Sequence, residues 1–215
     1  MKVLLIGASG KVGRPVLREL DSRGHAVTAY VRDPRALAEE FPALDTVAGD
    51  AFDAAAVAAA LDQHDVLVSS VALRDDAQRG RTPVGLAQAL AGVAASAGVR
   101  WVSLGGAGSL RTASGVDLVD TPDFPAAAAS ESRGFRAALH ELRDHAPAGL
   151  AWTVVSPAAV IVFDGERTGR YRTSGDTLLL DDEGRSTVSA ADLAVAVVDE
   201  VESGAHVGAR FAVGY

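Results

Sequence analysis

Residue types able to do chemistry gather first in the stretch Gly7-Ala8-Ser9-Gly10-Lys11-Val12-Gly13. It follows an apolar run, Val3–Ile6, and opens a helical pattern through Pro15, Val16, Leu17 and Leu20. Strand, glycine turn and helix in that order predict a cradle for the pyrophosphate of a dinucleotide. The first glycine permits a tight turn. The second lets the backbone approach phosphate with no Cβ in the way, and the third lets the helix pack closely on the strand. Free N–H groups and a partial positive charge at the helix start then face the phosphates. The spacing is G-x-x-G-x-x-G, not the G-x-G-x-x-G of most dehydrogenases.

Two charged positions extend the site. The second apolar run ends Tyr30-Val31-Arg32-Asp33-Pro34. A site preferring NAD usually places Asp or Glu there, against the ribose 2′-hydroxyl. Arg32 is instead suited to fork onto a 2′-phosphate and stack on adenine, which predicts NADP(H) as the preferred cofactor. NAD(H) stays open, because Asp33 could pair with Arg32 or meet a 2′-hydroxyl. Asp50, after Gly49 at the end of the third strand, has two readings. Its carboxylate could accept from the adenine amino group, or it could form a turn.

Small residues mark the rest of the cleft. Ser69, Ser70 and Val71 close the fourth strand and leave room for adenosine and the nicotinamide ribose. Gly105 and Gly106 open the cluster Gly105-Gly106-Ala107-Gly108-Ser109-Leu110 at the exit of the fifth strand, where glycines would let a flat ring approach the backbone. The polar loop Asp120-Thr121-Pro122-Asp123-Phe124-Pro125 is expected to form a substrate-side wall.

Other candidates carry less. There is no cysteine, which excludes disulfides, thiolate metal sites and cysteine nucleophiles. His64, His140 and His145 do not combine with a carboxylate at metal-ligand spacing, so no metal is expected; His25 and His206 fall in turns. Ser109 lacks the elbow of a hydrolase. Asp53 reads as a helix N-cap, and Ser189-x-x-Asp192 as a capping box that accounts for Asp192 as structure. Trp101 and Trp152 read as packing residues. The position of Tyr215 is left open between packing and the cleft.

These residues need a scaffold of alternating strands and helices. Strands are expected at Val3–Ile6, Ala26–Val31, Leu44–Ala48, Asp65–Val68, Val99–Leu104 and Ala151–Val155, with helices between them, the last from about Ser130 to His145. Short β runs at Tyr171–Thr173 and Thr177–Leu180, a helix Leu193–Val201 and a strand Arg210–Val213 follow. The fold class is therefore α/β: a Rossmann-type, doubly wound, mostly parallel sheet with a small C-terminal elaboration. One NAD(P)-binding domain spans 1–215, with 157–215 covering the substrate side. The loop 74–81, with Arg74, Asp75, Asp76, Arg79 and Arg81, is highly charged and expected to move.

Composition bounds the partners. The 215 residues are 48% apolar and 22% charged, enough for a full core. A net charge of −8 disfavours nucleic acid and anionic membrane. With no signal-peptide pattern and no apolar run of membrane-spanning length, the cytoplasm is the expected address. Only Lys2 and Lys11 are lysine.

Together the glycine turn, the Val-Arg-Asp-Pro step, the Gly49-Asp50 pair and the strand-five glycines resemble an atypical short-chain dehydrogenase/reductase. More narrowly, Gly105–Leu110, Asp120–Pro125, Ser156-Pro157-Ala158-Ala159, Gly165-Glu166-Arg167-Thr168-Gly169 and Phe211–Tyr215 resemble the NADH-flavin reductase family. The resemblance spans nearly the whole chain. It implies that Gly7, Ser9, Gly10, Lys11, Val12 and Gly13 hold the pyrophosphate and Arg32 the 2′-phosphate. Asp50 and Ala51 would hold adenine, and Ser69, Ser70 and Val71 the ribose. Beside the resemblance, Gly105, Gly106 and Pro157 are also expected to bind the cofactor.

One departure matters. The wider superfamily uses Tyr-x-x-x-Lys as its acid pair. Here tyrosine stands only at 30, 171 and 215, and no lysine follows Lys11, so that pair does not exist. Epimerase or dehydratase chemistry on nucleotide sugars is disfavoured for the same reason. Hydride transfer to a free flavin or a quinone-like small molecule needs no dedicated acid, and it is the expected activity. The alternative is an NADP(H)-binding redox sensor without turnover. The oligomeric state is not specified.

Overall fold

The computed structural model of the chain describes residues 1–73 and 81–215, so most of the charged loop lies outside the described residues. Apolar runs alternating with helices can pair in parallel only through crossover connections. The chain forms β1 (Lys2–Ile6), α1 (Gly13–Ser22), β2 (Ala26–Val31), α2 (Arg35–Ala38) and β3 (Asp45–Ala48). It continues with α3 (Ala54–Leu61), β4 (Val66–Ser69), α4 (Pro83–Ala97), β5 (Arg100–Leu104) and a 3-10 turn, Leu118–Asp120. The second half is α5 (Ala126–His145), β6 (Trp152–Pro157), β7 (Val160–Val162), β8 (Arg172–Ser174), β9 (Thr187–Ser189), α6 (Ala190–Ser203) and β10 (Ala209–Gly214).

The main sheet runs β3-β2-β1-β4-β5-β6-β10-β8. Its strand pairs are parallel except β10 with β8. Strand order reverses direction between β1 and β4, the switch point at which open α/β sheets take their ligands. Both faces are covered. Val16, Leu17 and Leu20 of α1, with Leu193 and Val197 of α6, pack on Val3, Leu5, Val66 and Phe211. Leu61, Leu90 and Leu139, from α3, α4 and α5, pack on Leu4, Ile6, Leu67 and Trp101 of the opposite face. Successive residues of β1 thus serve two cores, which is why its sequence is continuously apolar.

Several sequence expectations shift. α5 starts at Ala126 rather than near Ser130, because Ala126–Ala129 are strong helix formers that continue the helix back to Pro125. Thr177–Leu180 is not a strand: Thr177 makes a lone bridge to Arg111, and Leu178 N donates to Arg111 O at 2.9 Å. The segment lies against the loop after β5 instead of pairing with β8. The parallel ribbon β7–β9 was not legible, being made of strands too short for a period to show.

The capping box is only half formed. Ser189 Oγ accepts from Asp192 N at 2.9 Å, but Ser189 N donates to the Tyr215 hydroxyl at 3.1 Å. The fully buried Asp192 carboxylate accepts from Tyr215 Oη at 2.6 Å, Thr168 Oγ1 at 2.6 Å and Gly169 N at 2.7 Å. Burial would raise its pKa, yet these donors hold it below the usual carboxylate range. Asp192 is therefore the anchor of the C-terminal elaboration, beyond its place in the cap, and Tyr215 is a packing residue of that anchor.

Two further networks fix the periphery. Glu19 on α1 is buried and accepts from Arg23 Nε at 2.8 Å and from Arg167 Nε at 2.8 Å. Arg23 reaches Asp199 at 2.7 Å and Glu202 at 2.8 Å on α6, so α1, α6 and the elaboration share one set of charges. On the other side the buried Arg210 donates to Asp176 at 2.8 Å and to Ser109 Oγ at 3.2 Å, while Arg143 of α5 meets Asp176 at 2.7 Å. Ser109 is thus a partner of a buried cation.

Candidate dinucleotide site

The glycine turn sits at the C-terminal end of β1. Gly7 has φ +85°, and a Cβ there would lie 2.1 Å from the Ser70 carbonyl oxygen. A Cβ on Gly13 would lie 2.0 Å from the Gly7 carbonyl oxygen. Both glycines are thus imposed by backbone approach. Gly10 differs: a Cβ would stand 3.2 Å from Gly7 O, and the residue is exposed. Its N–H donates to Gly7 O at 3.0 Å, and its carbonyl accepts from Arg14 N at 3.0 Å. Val12 precedes α1 without a side-chain cap, and the N–H groups of Lys11, Val12 and Gly13 have no acceptor among the described residues. An uncapped helix start above an obligatory backbone cradle fits a pyrophosphate. The Ser9 carbonyl accepts from Arg14 Nε at 3.4 Å. Lys11 Nζ lies 5.0 Å from the centroid of the Phe163 ring, next to β7.

The β4 exit closes on this turn. Ser70 N donates to Ile6 O at 2.9 Å, and Val71 lies within contact of the position a Gly7 Cβ would take. Ser69 points elsewhere. It is 3% exposed, accepts from Trp101 Nε1 at 3.0 Å and donates to Ser103 Oγ at 3.1 Å. Its hydroxyl faces Trp101 and Ser103 on the α4–α5 side of the sheet.

At the ends of β2 and β3 the structure brings Arg32 and Asp50 together. Gly49 N donates to Val31 O at 2.9 Å, and Tyr30 Oη donates to Asp50 O at 3.2 Å. A Cβ on Gly49 would meet that same phenol oxygen at 2.1 Å. Asp50 Oδ1 accepts from Phe52 N at 3.1 Å, and Oδ2 accepts from Arg81. Burial works to raise the Asp50 pKa, but the Phe52 N–H and the Arg81 and Arg32 charges hold it below the ordinary range. Both readings of Asp50 thus meet a side chain whose oxygens already have donors. Ala51 is half-buried beside it. Asp33 forks onto Arg35, with Nε and Nη2 each at 2.9 Å, rather than onto Arg32. The Arg32 guanidinium is exposed and has no hydrogen bond or ion pair among the described residues.

The strand-five glycines have a packing cause. A Cβ on Gly105 would lie 2.7 Å from Val154 Cγ1, and one on Gly106 would lie 3.3 Å from Phe135. One at Gly108 would lie 2.7 Å from Ser132 Cβ. Close approach of β6 and α5 therefore accounts for them without a ring stacked on the backbone. Pro157 is buried at the end of β6, paired with Val213. The loop carrying Asp120 is tied down by Arg136, which meets Asp117 at 3.0 Å.

Arg81 is the site residue that sequence reasoning missed. Its guanidinium stands 5.1 Å from the Phe52 ring centroid and pairs with Asp50. The signal was Thr82-Pro83. Thr82 Oγ1 accepts from Gly85 N at 3.0 Å with Pro83 opening α4, an N-cap with proline after it. That pattern puts Arg81 just ahead of a helix N-terminus, at the sheet edge where the other site residues stand.

Strand order, switch point and glycine turn define a doubly wound dinucleotide-binding protein. The chain belongs to the NAD(P)H-binding family, whose pattern it matches over residues 7–203. Among solved structures it is similar to a putative exported protein from Burkholderia pseudomallei, at 40% identity and TM-score 0.87 over 100% of both chains. A putative epimerase from Bacteroides thetaiotaomicron is 31% identical with TM-score 0.88, over 100% of this chain and 96% of that one. A putative NADH-flavin reductase from Streptococcus pneumoniae TIGR4 is 30% identical with TM-score 0.85, over 100% of this chain and 99% of that one. One fold carries three descriptions, so chemistry has to be argued from the site. Among the described residues no helix is long and apolar enough to cross a membrane.

Proposed function

We propose that this chain is an NADP(H)-preferring oxidoreductase that reduces a free flavin or a quinone-like small molecule. The observation that carries the reading is the Arg32 guanidinium, without a hydrogen bond or ion pair among the described residues, beside a glycine turn with an open helix N-terminus. Gly7, Gly10 and Gly13 shape the backbone for the pyrophosphate, and Ser9, Lys11 and Val12 offer it donors. Arg32 takes the 2′-phosphate, Asp50 and Ala51 border adenine, and Ser70 and Val71 border the ribose. Gly105, Gly106 and Pro157 lie at the nicotinamide end. Bound nicotinamide supplies the hydride.

Such an acceptor is already electrophilic, and solvent protonates the product. The residues named need only hold the two rings near contact, about 3–3.5 Å apart. Two points support this acceptor class: the missing Tyr-x-x-x-Lys pair, and the reductase name carried by the Streptococcus relative. The test is NADPH oxidation, followed by the loss of the reduced nicotinamide's absorbance, with FMN, FAD and a panel of quinones. Acceptor-dependent turnover is expected. Tight NADPH binding with no turnover on any of them would favour the redox-sensor reading instead.

A further inference from the structure

We propose that Arg81 is a specificity-determining residue of the cofactor site: by holding the Asp50 carboxylate, it leaves the Arg32 guanidinium free for the 2′-phosphate. The inference rests on the NADP(H) reading and concerns the same site.

Asp50 and Arg32 stand at adjoining strand ends, joined through the Gly49 N to Val31 O hydrogen bond of 2.9 Å. A carboxylate in that position harms 2′-phosphate binding in two ways. It repels the phosphate directly, and it competes for the one guanidinium that should receive it. The structure answers both. Oδ1 is held by Phe52 N at 3.1 Å, and Oδ2 is held by Arg81, which is itself kept in place over the Phe52 ring at 5.1 Å. The carboxylate is thereby turned to Arg81, and its charge is offset there. Asp33, the other acid beside Arg32, is withdrawn in the same manner by Arg35. Two arginines each occupy one acid, and among the described residues Arg32 is left over. Arg81 acts through Asp50, so it is a positioning residue.

The test is direct titration of NADPH and NADH onto the full chain, read as the ratio of the two dissociation constants. Wild type, R32A, R81A, R81K and the double variant R81A/D50N are compared. R32A should abolish the preference for NADPH. R81A should lower it ~10-fold or more, the worth of one charge-assisted contact. R81K keeps the charge and should retain most of the preference. Removing the freed carboxylate should recover it, so R81A/D50N should discriminate better than R81A. If R81A leaves the ratio unchanged while R32A collapses it, the proposal falls and the cofactor reading stands. If R81A and R81A/D50N are equally indifferent, Arg81 does not act through Asp50 and the proposal also falls. If R32A itself leaves the ratio unchanged, the NADP(H) reading fails, and the proposal fails with it.

Discussion

Alanine at Gly13 and alanine at Gly10 should have opposite consequences, although both glycines belong to one motif. At Gly13 the new Cβ would lie 2.0 Å from the Gly7 carbonyl oxygen, with the Gly7 carbonyl carbon at 2.8 Å. Ordinary contact begins near ~3.4 Å, so the turn and α1 must separate by more than about 1 Å. α1 cannot retreat freely, because Val16, Leu17 and Leu20 are completely buried against the sheet. Overpacking of this kind costs about 1–3 kcal/mol, and obstacles that are backbone atoms of Gly7 and Ala8 put G13A at the upper end. For a chain of this size ~3 kcal/mol corresponds to a fall in Tm of about 6–12 °C. At Gly10 a Cβ would stand 3.2 Å from Gly7 O and in ordinary contact with Ser70 O at 3.9 Å, on an exposed face. G10A should therefore keep its stability within about 1 kcal/mol, helped by the reduced freedom of the unfolded chain. Its penalty should appear as lost affinity for NADPH. The assays are urea unfolding without nucleotide and equilibrium NADPH titration. Unchanged stability in G13A would refute the packing argument. Full NADPH affinity in G10A would refute the assignment of this turn to the pyrophosphate.

Asp192→Ala should destabilise by about 3–5 kcal/mol, since it leaves three donors without their charged acceptor; proteolytic cleavage between 160 and 189 should rise with it. Asp192, Asp176 and Glu19 all have pKa values held below the ordinary range. A depressed carboxyl contributes stability that is present above its unfolded value, near ~4, and is lost as pH falls through the folded value. Urea midpoints should therefore stay level from pH ~7 to ~5 and drop below ~4, with a shallower drop in Asp192→Asn. Asp53→Ala should cost about 1 kcal/mol by removing the acceptor for Ala56 N, measurable as a shift in the same midpoint.

Period and punctuation made the nucleotide half of this fold legible. β2 and α3 fall where apolar pattern and N-cap place them, because each is decided locally by buried faces and by Asp53. The glycine turn was legible for the same reason: its spacing reports a local backbone conformation. What escaped depends on partners far apart in sequence. Whether Ser69 faces a ligand or Trp101 follows from sheet geometry, and serine suits both. Gly105 and Gly106 look the same whether a ring or the side chains of Val154 and Phe135 approach them. Arg81 was read as one charge in a run, and only the fold places it over Phe52 against Asp50. Asp192 satisfies the capping pattern, while its decisive contacts come from Thr168 and Tyr215.

The position of Lys11 has a practical side. Of the two lysines in the chain, Lys2 begins β1 and Lys11 lies in the glycine turn with its ammonium over Phe163. Charge on the rest of the surface is carried by arginine, which does not react as an amine. Amine-directed coupling, whether to a dye, a resin or a sensor surface, has few other places to go. Such reagents would reach the loop proposed to hold phosphate as well as the exposed Lys2, and a conjugate formed at Lys11 would be blocked at its cofactor site. Attachment through an introduced cysteine avoids this, since the chain has no thiol of its own to compete.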